Sequence, residues 1–305
     1  RLFAHHEPAP GIGLLEGERP LVGGRRQAER GFGLLEFQDR PRLRGDQLPQ
    51  PRLGKFRLRQ GDLRAEDLAF RFHEAGREVR DGRLDPGEEL PRLYKLLFEA
   101  WGPQHWWPGE SPFEVMVGAV LTQNCSWTNV EKAIGNLRAA GRLSLGALWA
   151  APAEELAGWI RPTGYFNVKA RRLRNLLGWL WERGGPAGSW PAALAAVPTV
   201  ELRGMLLEVN GLGPETVDSI LLYALERPVF VVDAYTRRIL KRHFLLAGGE
   251  GYEEIRALFE GHWPRDLALF NEFHALIVHL GKDHCKPTAR CEGCPLRGHP
   301  HDERL

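Results

Sequence analysis

The sequence has few cysteines, almost no net charge and no long apolar run. Four cysteines in 305 residues are too few for a disulfide framework. Forty-one basic residues against 39 acidic ones leave a net charge of +2, so nucleic-acid binding has to come from local patches. Because no apolar run reaches the roughly 18 residues that a transmembrane helix needs, we expect a cytoplasmic protein, monomeric and without a membrane partner.

Residues 1–90 lack several residue types that the remaining chain uses freely. They contain no tryptophan, tyrosine or cysteine, whereas all ten tryptophans follow residue 100. Glycine, proline and arginine are frequent there, and such a composition buries too little apolar surface to offset the entropy of ordering. We therefore expect residues 1–90 to be an Arg/Gly-rich extension that is either poorly ordered or small and β-rich. In the second case, the alternation of Leu68, Phe70 and Phe72 predicts a strand.

Apolar residues recur at helical spacing from residue 91 onward. Leu93, Leu96 and Leu97 lie on one helical face, and similar stripes follow along the chain. Short separators rich in glycine and proline divide the region into about ten short helices. The pattern predicts an all-α domain over residues 91–283, followed by a cysteine-containing loop and tail over residues 284–305.

A glycine-rich turn and a single carboxylate form the first candidate site. Gly211 and Gly213 separate two predicted helices, and Pro214 stands where a first helical turn tolerates a missing N–H. Glycines let a backbone approach a polyanion closely, and the amides that open the next helix can donate to a phosphate, although the same residues also suit a plain turn. Asp233 follows the apolar run of residues 229–232 and precedes a helix, where it is either a helix N-cap or a catalytic acid.

The glycine turn followed by Asp233 at this distance resembles the helix-hairpin-helix glycosylases of the endonuclease III superfamily, and the resemblance extends over residues 90–296. It implies an all-α fold of two lobes around a cleft and excision of a damaged base in DNA repair. The implied partner is double-stranded DNA that contains the damaged base. The resemblance also implies that Asp233 is the catalytic residue and that Gly211, Gly213 and Thr216 contact DNA.

Glu215 is the main departure from that superfamily. At this position the bifunctional members carry a lysine that attacks the sugar as a Schiff-base nucleophile. A carboxylate cannot form an imine, so we predict a monofunctional N-glycosylase in which Asp233 stabilises positive charge on the sugar and activates water. The alternatives are an oxidised-pyrimidine glycosylase with lyase activity, and a catalytically idle DNA-binding or redox-responsive module.

Aromatic residues near the start of the helical domain indicate which base is recognised. Trp106, Trp107 and Pro108 precede a predicted helix, and Trp127 follows it. These segments resemble the 3-methyladenine DNA glycosylases of endonuclease III type, whose corresponding residues line the base pocket, with Lys282 matching a lysine at its edge. A cationic methylated purine gains from stacking between electron-rich rings, so we expect an alkylated purine such as 3-methyladenine as substrate. Alternatively, the same tryptophans are core residues.

Two further residues match DNA-handling positions of the superfamily. Gln123 matches a glutamine that enters the gap left by the flipped base, and Tyr165 matches a wedge residue. Both side chains are equally compatible with local packing. Lys169 belongs to a basic helical start beside the wedge, which predicts a contact with DNA phosphates.

The cysteines form the last candidate site. Cys285, Cys291 and Cys294 are separated by five and two residues, which is typical of metal ligands. Endonuclease III relatives place a 4Fe-4S cluster here with four cysteines, and the fourth is missing in this sequence. We therefore expect a cluster with an incomplete cysteine set, completed by His299 or His301, with structural zinc and no metal as the alternatives.

Overall fold

The structure is a computed structural model that describes residues 79–80, 83–185 and 188–305. The predicted extension over residues 1–90, with its strand at 68–72, lies outside these residues except for its final part. Strands β1 (Val79–Arg80) and β2 (Arg83–Leu84) form a two-stranded antiparallel hairpin. Helix α1 then begins at Pro86, so the boundary expected at residue 91 falls within this helix.

Beyond β2, the part of the chain that the structure describes is built from α-helices with short connections. They are α1 (Pro86–Trp101), α2 (Pro112–Leu121), α3 (Trp127–Ala139), α4 (Leu145–Trp149), α5 (Ala153–Trp159), α6 (Phe166–Gly184), α7 (Trp190–Ala195), α8 (Thr199–Leu207), α9 (Pro214–Ser219), α10 (Ala234–Arg242), α11 (Tyr252–His262) and α12 (Leu267–Asp283). A 3-10 turn (Arg161–Thr163) precedes α6, and a π-helical segment (Ile220–Ala224) continues α9. The predicted all-α fold is confirmed.

Buried apolar side chains form two clusters. The first contains side chains from the helices α2 through α9, such as Leu173. The second contains side chains from α1, α10, α11 and α12, together with Phe230. The π-helical segment belongs to both clusters, because Leu221 packs in the first, Leu222 packs in the second, and Tyr223 lies against both. The two clusters are the cores of two lobes, which meet at this segment.

Helix starts position the candidate residues near this junction. Pro86, Pro112 and Pro214 open α1, α2 and α9, where a helix needs no N–H from its first residue. The glycine turn lies between α8 and α9, and Asp233 immediately precedes α10. Across the described residues, every helix is too short or too polar to span a membrane.

Candidate active site

Asp233 caps helix α10 with one carboxylate oxygen, and the other oxygen takes no part in the cap. Its Oδ1 accepts hydrogen bonds from the backbone N–H of Thr236 at 2.7 Å and from the Thr236 hydroxyl at 2.8 Å. Thr236 is fully buried, so the carboxylate is held in a fixed orientation. The other oxygen, Oδ2, lies 3.8 Å from Nε2 of His274. The N-cap and acid interpretations of Asp233 are therefore compatible.

Tyr223 and His274 form a buried pair behind Asp233. The Tyr223 hydroxyl is hydrogen-bonded to Nδ1 of His274, while Nε2 has no hydrogen-bond partner among the described residues. Burial raises the pKa of Tyr223 and lowers the pKa of His274, so both side chains are neutral at neutral pH. When the hydroxyl donates to Nδ1, the imidazole presents Nε2–H to Asp233. The sequence analysis missed both residues, although each is a polar residue within an apolar helical run.

Asp233 and Glu215 line one open cleft of about 720 Å³. The glycine turn, with Gly211 and Gly213, borders the same cleft, so the residues predicted around the catalytic acid come together. Glu215 points into the cleft, where desolvation and then the negative charge of Asp233 raise its pKa to about 7, against the opposing effect of Arg237. The cleft thus presents two carboxylates, Glu215 and Asp233.

The glycine turn is tied to the loop that follows α2. Gly211 has a φ of +96°, and a Cβ there would lie 2.3 Å from Cγ of Arg172, so both conformation and space require glycine. The Gln123 amide donates to the carbonyl of Gly211 and to the Thr216 hydroxyl, each at 3.0 Å, and its oxygen accepts from Arg172 at 2.6 Å. Thr216 is buried and bonded to Gln123, in contrast to the predicted direct DNA contact.

Tyr165 and Lys169 occupy opposite environments at the start of α6. Tyr165 is 73% exposed and has a left-handed backbone with a φ of +44°. Lys169 is only 2% exposed, and its Nζ donates to the carbonyls of Leu121 and Thr163, each at 2.8 Å. The predicted phosphate contact by Lys169 is therefore incompatible with its position, because the ammonium faces backbone carbonyls inside the protein.

The predicted base-pocket residues form a cluster of aromatic rings. The ring centroid of Trp107 lies 5.5 Å from Trp106, 5.0 Å from Trp127 and 5.1 Å from Tyr223. Trp106 and Trp127 are 6.0 Å apart, and Nζ of Lys282 lies 5.2 Å from the centre of the Trp106 ring. Lys282 is thus close enough for a cation–π contact at the edge of the cluster.

Two cavities adjoin this tryptophan cluster. One of about 420 Å³ is lined by Trp107, Pro108 and Trp127 and by three carboxylate side chains, Glu110, Glu114 and Glu131. The other, of about 730 Å³, is lined by Trp106, Trp107 and Tyr223. The cleft at Asp233 is lined by other residues, so it is connected to the tryptophan cluster through Tyr223 and His274. The resemblance implies one cleft between two lobes, whereas these residues line separate openings.

The three clustered cysteines surround one small void. Cys285, Cys291, Cys294 and His301 line an enclosed space of about 20 Å³, and the Arg242 guanidinium donates to Sγ of Cys285 at 3.2 Å. Three sulfur ligands, one imidazole and an adjacent cation fit a negatively charged group held between the cysteines. The side chains of Cys291, His301 and Glu303 also have ligand atoms within 4.8 Å of one another, which fits a single metal ion.

His299 lies apart from the cysteines, in contrast to the prediction. Its Nε2 is hydrogen-bonded to the buried Glu89 carboxylate at 2.8 Å, and its Nδ1 lies 3.0 Å from Nδ1 of His243. Both ring nitrogens therefore face protein partners. Of the two histidines predicted as ligands, His301 lines the void, together with His243 and His284.

Known proteins resemble this chain in sequence. A family model described as the HhH-GPD superfamily base excision DNA repair protein matches residues 117–265, which include the glycine turn and Asp233. A Methanocaldococcus jannaschii protein assigned to the DNA repair glycosylases is 43% identical over 210 residues, 69% of this chain and 94% of that protein. Endonuclease III of Thermotoga maritima is 29% identical over 189 residues, 62% of this chain and 82% of that enzyme.

Solved structures resemble it in fold. The 3-methyladenine DNA glycosylase of H. pylori bound to 1,N6-ethenoadenine matches with a TM-score of 0.53 and 32% identity, over 65% of this chain and 98% of that chain. A non-covalent endonuclease III–DNA complex matches in fold with a TM-score of 0.60 and 23% identity, over 70% of this chain and 94% of that chain. With the glycine turn and Asp233 in place, these findings confirm that the chain belongs to the helix-hairpin-helix DNA glycosylases of the endonuclease III superfamily.

Proposed function

We propose that the chain excises alkylated purines such as 3-methyladenine from double-stranded DNA by hydrolysing the N-glycosidic bond, with Asp233 as the catalytic residue. The observation that carries this proposal is the continuity between the tryptophan cluster and Asp233. Tyr223 contacts Trp107 and is bonded to His274, and His274 faces the Asp233 carboxylate at 3.8 Å. In this proposal, the base stacked among the tryptophans and the sugar beside Asp233 belong to the same flipped nucleotide.

The surroundings of the tryptophans favour a positively charged base. The Trp127 indole N–H donates to the Glu131 carboxylate at 2.9 Å, which enriches the ring in electrons. Glu110 and Glu114 also line the adjacent cavity, but Arg138 pairs with both, so the preference rests on the rings and on Glu131. Electron-rich rings attract a cationic methylated purine more strongly than a neutral base. The resemblance to the H. pylori 3-methyladenine enzyme supports the same substrate class.

Asp233 supplies the charge that bond cleavage requires. A cationic purine leaves without being protonated, so the remaining tasks are to stabilise positive charge on the sugar and to activate water. Thr236 holds Oδ1 of Asp233 in place, which leaves Oδ2 to act beside His274. Glu215 cannot form an imine, and the proposed reaction is therefore hydrolysis without a lysine adduct.

The DNA is proposed to lie along the glycine turn and the two loops beside it. The amides of Gly211 and Gly213 donate to a phosphate, since glycine permits close approach. Gln123 fills the gap left by the flipped nucleotide, for which its bonds to the turn have to open, and the exposed Tyr165 acts as the wedge. These contacts position DNA without reading its sequence.

Base release and covalent trapping test the reaction together. We expect the protein to release methylated purines from alkylated DNA in preference to oxidised pyrimidines, and to give no borohydride-trapped adduct with DNA. A trapped adduct of the unmodified protein that persists in Glu215→Ala would contradict the hydrolytic mechanism. Preferential release of oxidised pyrimidines would support the lyase alternative.

Cys285, Cys291, Cys294 and His301 are proposed to hold a 4Fe-4S cluster. When bound, such a cluster would cross-link the C-terminal segment over residues 285–301 to itself, which is a structural contribution. Visible absorption together with iron and zinc analysis of the purified protein tests this assignment, and Cys291→Ser should abolish the iron absorption. Zinc at one equivalent without iron would assign the same residues to a single ion.

A further inference from the structure

One buried cation joins the two loops that carry Gln123 and Tyr165. The Lys169 ammonium donates to the carbonyl of Leu121 and to the carbonyl of Thr163, each at 2.8 Å. Leu121 precedes Gln123 by two residues, and Thr163 precedes Tyr165 by two residues. Lys169 therefore connects the two loops at the same distance along the chain from each of the two side chains.

This connection is inside the protein, whereas the wedge is outside. Lys169, Leu121 and Thr163 are at most 3% exposed, while Tyr165 is 73% exposed. Gly164 and Tyr165 both have positive φ angles, so the wedge loop holds a conformation that needs support from its surroundings. Burial lowers the pKa of Lys169, and the two carbonyls are the acceptors that favour its charged form there.

We propose that Lys169 is a positioning residue that fixes the separation between Gln123 and Tyr165, so that both side chains enter the duplex together at the damaged nucleotide. The proposal rests on the roles assigned to these two residues under the proposed function. Two side chains that approach one flipped nucleotide from different loops require a fixed spacing, because a displacement of about 1 Å can cost on the order of a hundredfold in rate. A methionine of similar length fills the same volume but leaves both carbonyls unpaired.

The same helix provides a matched control in Arg174. Its guanidinium also bridges two backbone carbonyls, those of Trp149 at the end of α4 and Ala151 in the loop that follows, and neither segment carries a residue proposed to contact DNA. The probe is a duplex with a tetrahydrofuran abasic analogue opposite 2-aminopurine, which reports side-chain insertion whichever base the enzyme excises. We expect Lys169→Met to lose about tenfold in preference for this duplex over undamaged DNA, and to lose the 2-aminopurine signal as well. The preference of Arg174→Met should stay within about twofold of that of the unmodified protein.

A double-variant comparison separates positioning from general destabilisation. In a Gln123→Ala/Tyr165→Ala background, Lys169→Met should have no further effect on the preference for the abasic duplex. An equal loss in both backgrounds, or an equal loss in Arg174→Met, would overturn the proposal. If Gln123→Ala and Tyr165→Ala themselves leave the preference unchanged, their assigned roles are wrong and the proposal fails with them. If they lower it and folded Lys169→Met does not, the positioning role alone is wrong.

A second variant covers the case in which Lys169→Met does not fold. Lys169→Gln keeps a neutral donor, but its shorter side chain can reach at most one of the two carbonyls. Its melting temperature, compared with that of Arg174→Met, reports whether the fold is retained. We expect a partial loss of abasic-duplex preference, and a folded Lys169→Gln protein with the full preference would overturn the proposal.

Discussion

The cleft at Asp233 and the tryptophan cluster differ in how their parts are held. In the cleft, hydrogen bonds of 2.7 and 2.8 Å fix the orientation of one carboxylate in an open space of about 720 Å³. In the tryptophan cluster, rings contact one another at centroid distances of 5.0 to 6.0 Å. The buried pair of Tyr223 and His274 joins the two regions. Base recognition and bond cleavage should therefore be separable by substitution.

Asp233→Asn should have the largest effect, because it removes the charge of the Asp233 carboxylate and leaves the tryptophan cluster intact. The asparagine oxygen can still accept the bonds from Thr236, so the cap of α10 is retained. We expect single-turnover base release from methylated DNA to fall by about 10²- to 10⁴-fold, with binding to an abasic-analogue duplex preserved.

Asp266→Asn is the matched control for that variant. Asp266 caps α12 in the same manner, by accepting from the N–H of Leu269 at 2.8 Å, and it is not among the residues that line the cleft at Asp233. Its base release should equal that of the unmodified protein. Unchanged base release in Asp233→Asn would show that Asp233 is not the catalytic residue, whereas no base release from the unmodified protein would favour the catalytically idle DNA-binding module.

Trp127→Ala removes one ring of the tryptophan cluster and should have the second largest effect. Loss of one stacking ring should reduce release of methylated purines by about tenfold or more, while binding to the abasic-analogue duplex stays unchanged. Trp181→Ala is the control, since Trp181 stacks on Trp149 at 5.9 Å and lines neither cavity of the tryptophan cluster. Equal losses in the two variants would show that the tryptophans contribute only to packing.

Tyr223→Phe tests the connection between the regions. The ring that contacts Trp107 is retained, and only the hydrogen bond to His274 is lost. We expect a loss of about fivefold in single-turnover rate, which corresponds to one hydrogen bond of roughly 1 kcal/mol. If the pair acts as a unit, Tyr223→Phe/His274→Asn should be no slower than His274→Asn alone. Fully additive losses would mean that the two residues act independently.

Sequence patterns were sufficient for the helices and for the residues that belong to short motifs. Apolar spacing predicts which faces are buried, and the glycine turn with Asp233 carries its own signature. Side-chain direction at isolated polar residues was not predictable, because it depends on partners far along the chain. The carbonyl of Leu121 is 48 residues from Lys169, and Tyr223 is 51 residues from His274. His299 was assigned to the cysteines for the same reason, since its partner Glu89 is 210 residues away.

Glu215→Gln should have the smallest effect, and it tests whether the cleft raises the pKa of Glu215. The pKa of Glu215 is raised from 4.5 to about 7, so between these values the folded protein keeps a proton that the unfolded chain has released. Glu215 thus contributes stability below pH 4.5, and this contribution is lost as the pH rises through 7. The melting temperature of Glu215→Gln relative to the unmodified protein should therefore increase over this interval, by about 2 °C because solvent in the open cleft screens the charges. Glu208→Gln, at an exposed position at the end of α8, is the control. A difference for Glu215→Gln that stays constant with pH would mean that desolvation and the charge of Asp233 together do not raise the pKa of Glu215 in the cleft.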